Sequence, residues 1–306
     1  MKPFIFKSIS FLITVFIFFL LVLSRADGYT DPFYLRFTTP KQENLILGNS
    51  RSAQGLQPKY FNKKLNKTFY NFSFTIGSSP YGLVYYNAIK KKLKISKNKN
   101  AIFVLIVDPW SISANRIKPN NLSEFGENQA ILGNMFFFNL NPNFEYVFKN
   151  MSGKYFELIF KKKSEVFLHD DGWLEVTVPM DSVNESKRLT NKIKEYKENY
   201  AKNKAFSAVR LKYLKMTINL LKKYGKVYLV RLPVHEKILT IENDYMPDFE
   251  NKINRVKHLS DGYLNLMYKN KEYVYTDGNH IYKKSGVQIS KEIADWILEQ
   301  DNINKD

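Results

Sequence analysis

Apolar and polar positions divide the chain into segments of different period. Residues 44–48 (NLILG) are a short apolar run closed by glycine, the pattern of a buried strand. Residues 69–76 alternate bulky and polar side chains and then meet Gly77-Ser78-Ser79-Pro80, which predicts a strand ending in a turn. Residues 81–93 carry apolar positions at helical spacing and end in lysines, which favour a helix C-terminus. Residues 101–107 (AIFVLIV) form a continuous apolar strand of the kind buried on both faces of a parallel sheet, and Asp108-Pro109-Trp110 ends it.

The pattern then changes. Residues 109–150 are rich in Asn, Pro and Phe without clear period, and residues 155–160 and 174–178 read as two strands around Asp170-Asp171-Gly172. This is a hairpin-bearing insertion over about 109–205. Residues 187–204 predict a charged helix. Residues 208–224 predict a more amphipathic one, with Val209, Tyr213, Met216 and Leu220 on its apolar face. Another buried strand follows at 227–232, a helix at 248–259 and a last short strand at 263–267. Residues 284–299 form a closing helix with Val287, Ile293, Trp296 and Ile297 as core positions. Without the insertion, strand and helix alternate over five strands. That predicts an α/β domain with a mostly parallel sheet, helices on both faces and right-handed crossovers. Ligands of such sheets sit beyond the C-terminal strand ends.

Residues 9–23 (ISFLITVFIFFLLVL) are almost wholly apolar and follow Lys2 and Lys7. A positive flank before an apolar core is an export signal. A cleaved signal peptide needs a small-residue site, which Ser24-Arg25-Ala26-Asp27 matches poorly. An uncleaved anchor needs ~20 apolar residues, available over 4–23 if Lys7 snorkels. The anchor is the stronger reading. It makes 1–28 a membrane segment and 29–306 an exported domain, since the positive flank stays cytoplasmic.

Composition narrows the chemistry. With no cysteine among 306 residues there is no disulfide framework, thiolate nucleophile or Cys-based metal site. The formal charge of +18 suits anionic envelope polymers or lipid heads. It comes from dispersed lysines rather than arginines interleaved with aromatics, so nucleic acid is not an expected partner. No cofactor or metal is called for. His169-Asp170-Asp171 invites a metal reading, but a polar turn at a hairpin tip is favoured. Trp110 and Trp173 suit either a sugar-binding surface or the core.

The reactive residues fall at one edge of the predicted sheet. Ser50 follows the first strand, Gly77 the second and Asp108 the third; Arg231 and His235 flank the end of the fourth; Asp277 and His280 follow the fifth. A serine hydroxyl needs an adjacent base, which His280 supplies. Asp277, three residues earlier, would fix the imidazole tautomer and stabilise its cation. The backbone N–H groups of Ser50 and Gly77 are candidate oxyanion donors. Alone, Ser50 would read as the N-cap of the following helix.

Gly48-Asn49-Ser50-Arg51 resembles the nucleophile block of the SGNH (GDSL-like) hydrolases, and Asp277-Gly278-Asn279-His280 resembles their closing D-x-x-H block. Gly77 falls where that family places its oxyanion glycine. The likeness covers roughly 44–77 and 227–296 and is greatest to membrane-anchored relatives near the D-alanyl-lipoteichoic-acid and alginate acetylation proteins. It implies a three-layer α/β/α, flavodoxin-like domain. It also implies a serine-dependent esterase, deacetylase or O-acyltransferase on an extracytoplasmic glycan, with Ser50, Asp277 and His280 as triad. There is one departure. The family's third block, G-x-N-D, donates to the oxyanion through Asn, whereas here the strand ends in Asp108. Either Asp108 faces elsewhere, or Arg51 neutralises it, or the chain is a non-catalytic relative that binds polysaccharide or an assembly partner. Arg51 itself is suited to an anionic substrate or to a salt bridge with Asp108.

Overall fold

A computed structural model describes residues 1–96, 98–153, 155–160 and 164–303. The main sheet is built from β1 (Asn44–Leu47), β2 (Phe69–Asn71), β3 (Ala101–Ile106), β8 (Gly225–Arg231) and β9 (Gly262–Asn265). Between β3 and β8 lie four short strands: β4 (Ser113–Asn115), β5 (Val166–Leu168), β6 (Leu174–Val176) and β7 (Lys204–Phe206). The main sheet runs β2-β1-β3-β8-β9, and every pairing in it is parallel. Counted along the chain, these five strands take the 2-1-3-4-5 order of a flavodoxin-like sheet, as expected.

Successive side chains of a strand point to opposite faces, and each face has its own core. Leu45, Leu47, Phe103, Leu105, Val227 and Leu229 enter one. Helices Leu83–Lys92, Ala208–Leu221 and Phe249–Lys257 cover it through residues such as Ile89, Ile218 and Ile253. Ile46, Ile102, Val104, Ile106, Tyr228 and Val230 enter the other, under helices Pro58–Leu65 and Lys283–Ile303. Double-sided burial explains why β3 is apolar at every position.

The insertion differs from expectation in detail. Its hairpin pairs β5 with β6, not 155–160 with 174–178. The turn is tight, with Gly172 N–H bonding to His169 O at 2.9 Å, so closing on 166–168 leaves a much shorter loop than closing on 155–160. Tyr155–Leu158 is instead a 3₁₀ turn. The predicted charged helix runs Ser182–Glu195 and continues through a π turn at Tyr196–Tyr200. β4 and β7 pair antiparallel and clasp the two ends of the insertion together.

Two predicted helix faces are corrected. In Ala208–Leu221 the buried residues are Arg210, Leu214, Thr217, Ile218 and Leu221, not the face containing Val209 and Met216. The rotation follows Arg210, drawn inside by a bidentate pair with Glu127 at 2.7 and 2.9 Å. In the closing helix Val287 is half-buried; Ile289, Ile293, Ala294 and Ile297 make the core, with Trp296 packed edgewise on Tyr228. Helices Pro58–Leu65 and Glu236–Tyr245 carry no expectation from the pattern.

Ile293 is fully buried under the sheet. Ile293→Ala is expected to cost ~2–5 kcal/mol of stability, read as a lower urea midpoint with unchanged slope.

Candidate active site

The turn out of β1 places the serine. Gly48 has φ +155°, and a Cβ there would meet Ile106 Cβ at 2.8 Å, so only glycine lets the chain leave the strand this way. Asn49 then caps the helix Ser50–Gly55, its Oδ1 accepting from Arg51 N–H at 3.0 Å. The cap is therefore Asn49, and Ser50 is the first helical residue with its side chain uncommitted to capping.

The loop after β9 places the base. Asp277 Oδ1 accepts from the backbone N–H of Asn279 and of His280, each at 2.9 Å, which folds the four residues onto themselves. Gly278 has φ +85° and would clash through a Cβ with Leu189 of the insertion helix. Its carbonyl accepts from His235 N–H at 2.8 Å, so His235 braces the loop through backbone while its ring caps the next helix.

These two turns meet. His280 Nδ1 lies 2.9 Å from Asp277 Oδ2, and His280 Nε2 lies 2.9 Å from Ser50 Oγ. A carboxylate only accepts, so the Nδ1 proton points to Asp277 and Nε2 is left to accept from the serine. Burial would raise the Asp277 carboxyl, but His280, and Lys192 at 3.6 Å, hold it well below the usual range. Ser50 is half-buried, and His280 is 9% exposed.

A buried charge network lies behind this relay. Arg51 is 2% exposed. Its Nε donates to Asn279 Oδ1 at 2.9 Å and its Nη2 to Glu242 Oε1 at 2.5 Å. Its Nη1 faces Asp108 at 3.8 Å, beyond hydrogen-bond reach. Burial opposes the guanidinium charge, but Glu242 and then Asp108 more than offset it and hold Arg51 protonated. Glu242 also accepts from Trp110 Nε1 at 2.8 Å and from Arg231 at 3.3 Å. Asp108 caps the 3₁₀ turn Pro109–Ile112 and accepts from Asn49 Nδ2 at 2.6 Å. Burial pushes its carboxyl up, and Arg51 partly opposes this.

Of the residues singled out in the sequence, Ser50, Asp277 and His280 are thus brought together. Arg51 and Asp108 sit beside them as buried framework. Both are buried against protein partners, with Arg51 Nη1 left without a hydrogen bond, and neither faces solvent. Gly77 lies in an exposed turn. It lines a cleft of about 360 Å³ with Ile76, Glu195, Asn199, Tyr200 and Lys204, a set that includes none of the relay residues. Arg231 belongs to the buried network.

The tryptophans serve packing. Trp110 is 3% exposed and stacks on Tyr245 at 4.5 Å; Trp173 donates to Gln54 O and stacks on His169. His169 also bonds Glu175 at 2.8 Å, so its ring is held within the hairpin.

Sequence reasoning missed Asn279, Glu242, Tyr196 and Lys192. Asn279 Oδ1 takes Arg51 Nε and the Tyr196 hydroxyl (2.7 Å), which turns its amide nitrogen toward His280 Nε2 at 3.1 Å. Glu242 was findable, because it continues the apolar stripe of Ile238 and Ile241, where an ionised group demands a buried partner. Tyr196 and Lys192 had no such signal; their helix reads as solvated charge. The chain matches no protein-family model, and no curated protein matches it.

Two outcomes are expected. Glu242→Gln removes the charge matched to two buried arginines and should cost ~3–5 kcal/mol in a denaturant titration. The depressed Asp277 carboxyl contributes stability that is complete above pH ~4 and lost as pH falls through its folded value. The stability gap between the natural chain and Asp277→Asn should therefore narrow on acidification below that point.

Proposed function

We propose that this protein is a serine-dependent esterase, deacetylase or O-acyltransferase of SGNH type, acting on an acylated glycan outside the cytoplasm. The observation that carries the reading is the unbroken Ser50–His280–Asp277 relay, with both links at 2.9 Å. Ser50 attacks the acyl carbonyl while His280 takes its proton through Nε2. The oxyanion collapses, His280 returns the proton to the leaving alcohol, and the acyl group remains on Ser50. Water or a sugar hydroxyl, deprotonated by His280, then accepts it. Asp277 keeps the tautomer and offsets the imidazolium charge. The backbone N–H of Ser50, first residue of its helix, stabilises the oxyanion; that of Arg51 is already held by Asn49.

The N-terminal helix Lys2–Leu23 is long and apolar enough to cross a membrane. With Lys2 and Lys7 on the cytoplasmic side, the domain faces the periplasm or cell surface. The second reading, a polysaccharide or partner binder without turnover, is favoured by Asp108, which supplies no oxyanion donor. Lack of one donor lowers kcat by ~10²–10³ without abolishing it.

A fluorophosphonate probe separates the two. Labelling of the folded protein that vanishes in Ser50→Ala is expected. The same substitution, and His280→Ala, should lower ester hydrolysis by ~10⁴–10⁶-fold. A folded natural chain that takes no label would favour the binder.

A further inference from the structure

The insertion turns a set of large apolar side chains outward. Outside the N-terminal helix, every exposed phenylalanine among the described residues falls between 136 and 160: Phe136, Phe137, Phe148, Phe156 and Phe160. Their neighbours Met135, Phe138, Tyr146, Val147 and Leu158 are buried, so the segment is anchored with its outer face apolar by design of the sequence. Exposed apolar surface concentrated in one region marks an interaction site.

The N-terminal helix reaches this face. Phe19 packs on Phe148 with ring centroids 6.4 Å apart, and the Tyr155–Leu158 turn abuts the same helix. No free linker intervenes: Leu23, the last helical residue, is fully buried in the main core, and Val22 packs against it. The helix therefore fixes the height of the face. A hydrocarbon core ~30 Å thick needs ~20 residues, and the apolar stretch over 4–23 provides no surplus. Phe19 stands four residues, ~6 Å, before the helix end, and so lies at or below the outer hydrocarbon boundary. Phe148 shares that depth. Lys149 stacks over Phe136 at 5.1 Å and Lys91 lies over the same ring at 5.9 Å, placing two cations beside an outward ring as at a lipid headgroup boundary.

We propose that this face is seated in the bilayer surface, with Phe136, Phe148 and Phe160 entering the headgroup–acyl boundary beside the helix. The occupant is lipid, and the inference rests on the reading of Lys2–Leu23 as an uncleaved span.

The chain has no cysteine, so single-cysteine variants report one position each. Phe11→Cys, Phe136→Cys, Phe148→Cys, Phe160→Cys and Tyr268→Cys are labelled with the fluorophore NBD, in full-length protein at one copy per phosphatidylglycerol–phosphatidylcholine nanodisc. Tyr268 is exposed and belongs to a 3₁₀ segment after β9. A shallow lipid-borne nitroxide should quench and blue-shift-sensitive emission should move at 136, 148 and 160, but not at 268. Quenching at 11 by a mid-chain nitroxide, without shallow quenching at 136, 148 and 160, overturns the seating while the span stands. No quenching at 11 overturns both. A blue shift at 136–160 that appears only in discs holding two copies also overturns it, in favour of a second copy as occupant.

Discussion

A guanidinium with 2% exposure has to be neutralised and hydrogen-bonded in place, and Arg51 imposes that demand at the centre of this molecule. It sits one residue after Ser50, on the same short helix. Glu242 supplies its charge partner from another helix, and Asn279 supplies an acceptor from the loop that carries His280. Tyr196 closes the same amide from the insertion. Four separate parts of the chain are thus tied to one cation. Each tie is short and directional, so small displacements of one part are opposed by the others. The alignment of serine and imidazole is a surface expression of that buried arrangement.

The sheet and the relay were legible in the sequence for the same reason. Parallel strands buried on both faces announce themselves as unbroken apolar runs, and their C-terminal ends share an edge. Ser50 and His280, though 230 positions apart, could be assigned to that edge from strand order alone. What lay behind the edge was not readable. Arg51 and Asp108 could be read as substrate contacts or as a pair, because polar residues at strand ends usually face a crevice; they lie together in the interior, 3.8 Å apart. Here the Asn49 amide and the Ser111 backbone hold Asp108 inward. Helix faces failed where a paired charge outweighed apolar periodicity, as at Arg210. The hairpin failed because strand propensity at 155–160 says nothing of which segment lies nearer the turn.

Asp108 also changes how the oxyanion problem is posed. The SGNH-like pattern draws a donor from this position, whereas here the carboxylate organises a 3₁₀ turn and steadies the Asn49 that caps the serine's helix. Its contribution to the relay is indirect, through the orientation of that helix. Lys192 and Tyr196 act from the opposite side: the insertion helix that carries them roofs the Asp277 loop. Framework and roof come from segments that the motifs do not include.

The antiparallel pairing of Ser113–Asn115 with Lys204–Phe206 has a wider meaning for how such a chain can diversify. Two paired ends present the sheet with an unchanged doorway whatever is built beyond it. A lineage can vary the outward material between Asn115 and Lys204, provided that Leu132, Met135, Phe138, Tyr146 and Val147 still pack into the core on one face of the sheet. Novelty is then confined to the outer surface and to the roof over the serine, where shape can alter without altering the fold.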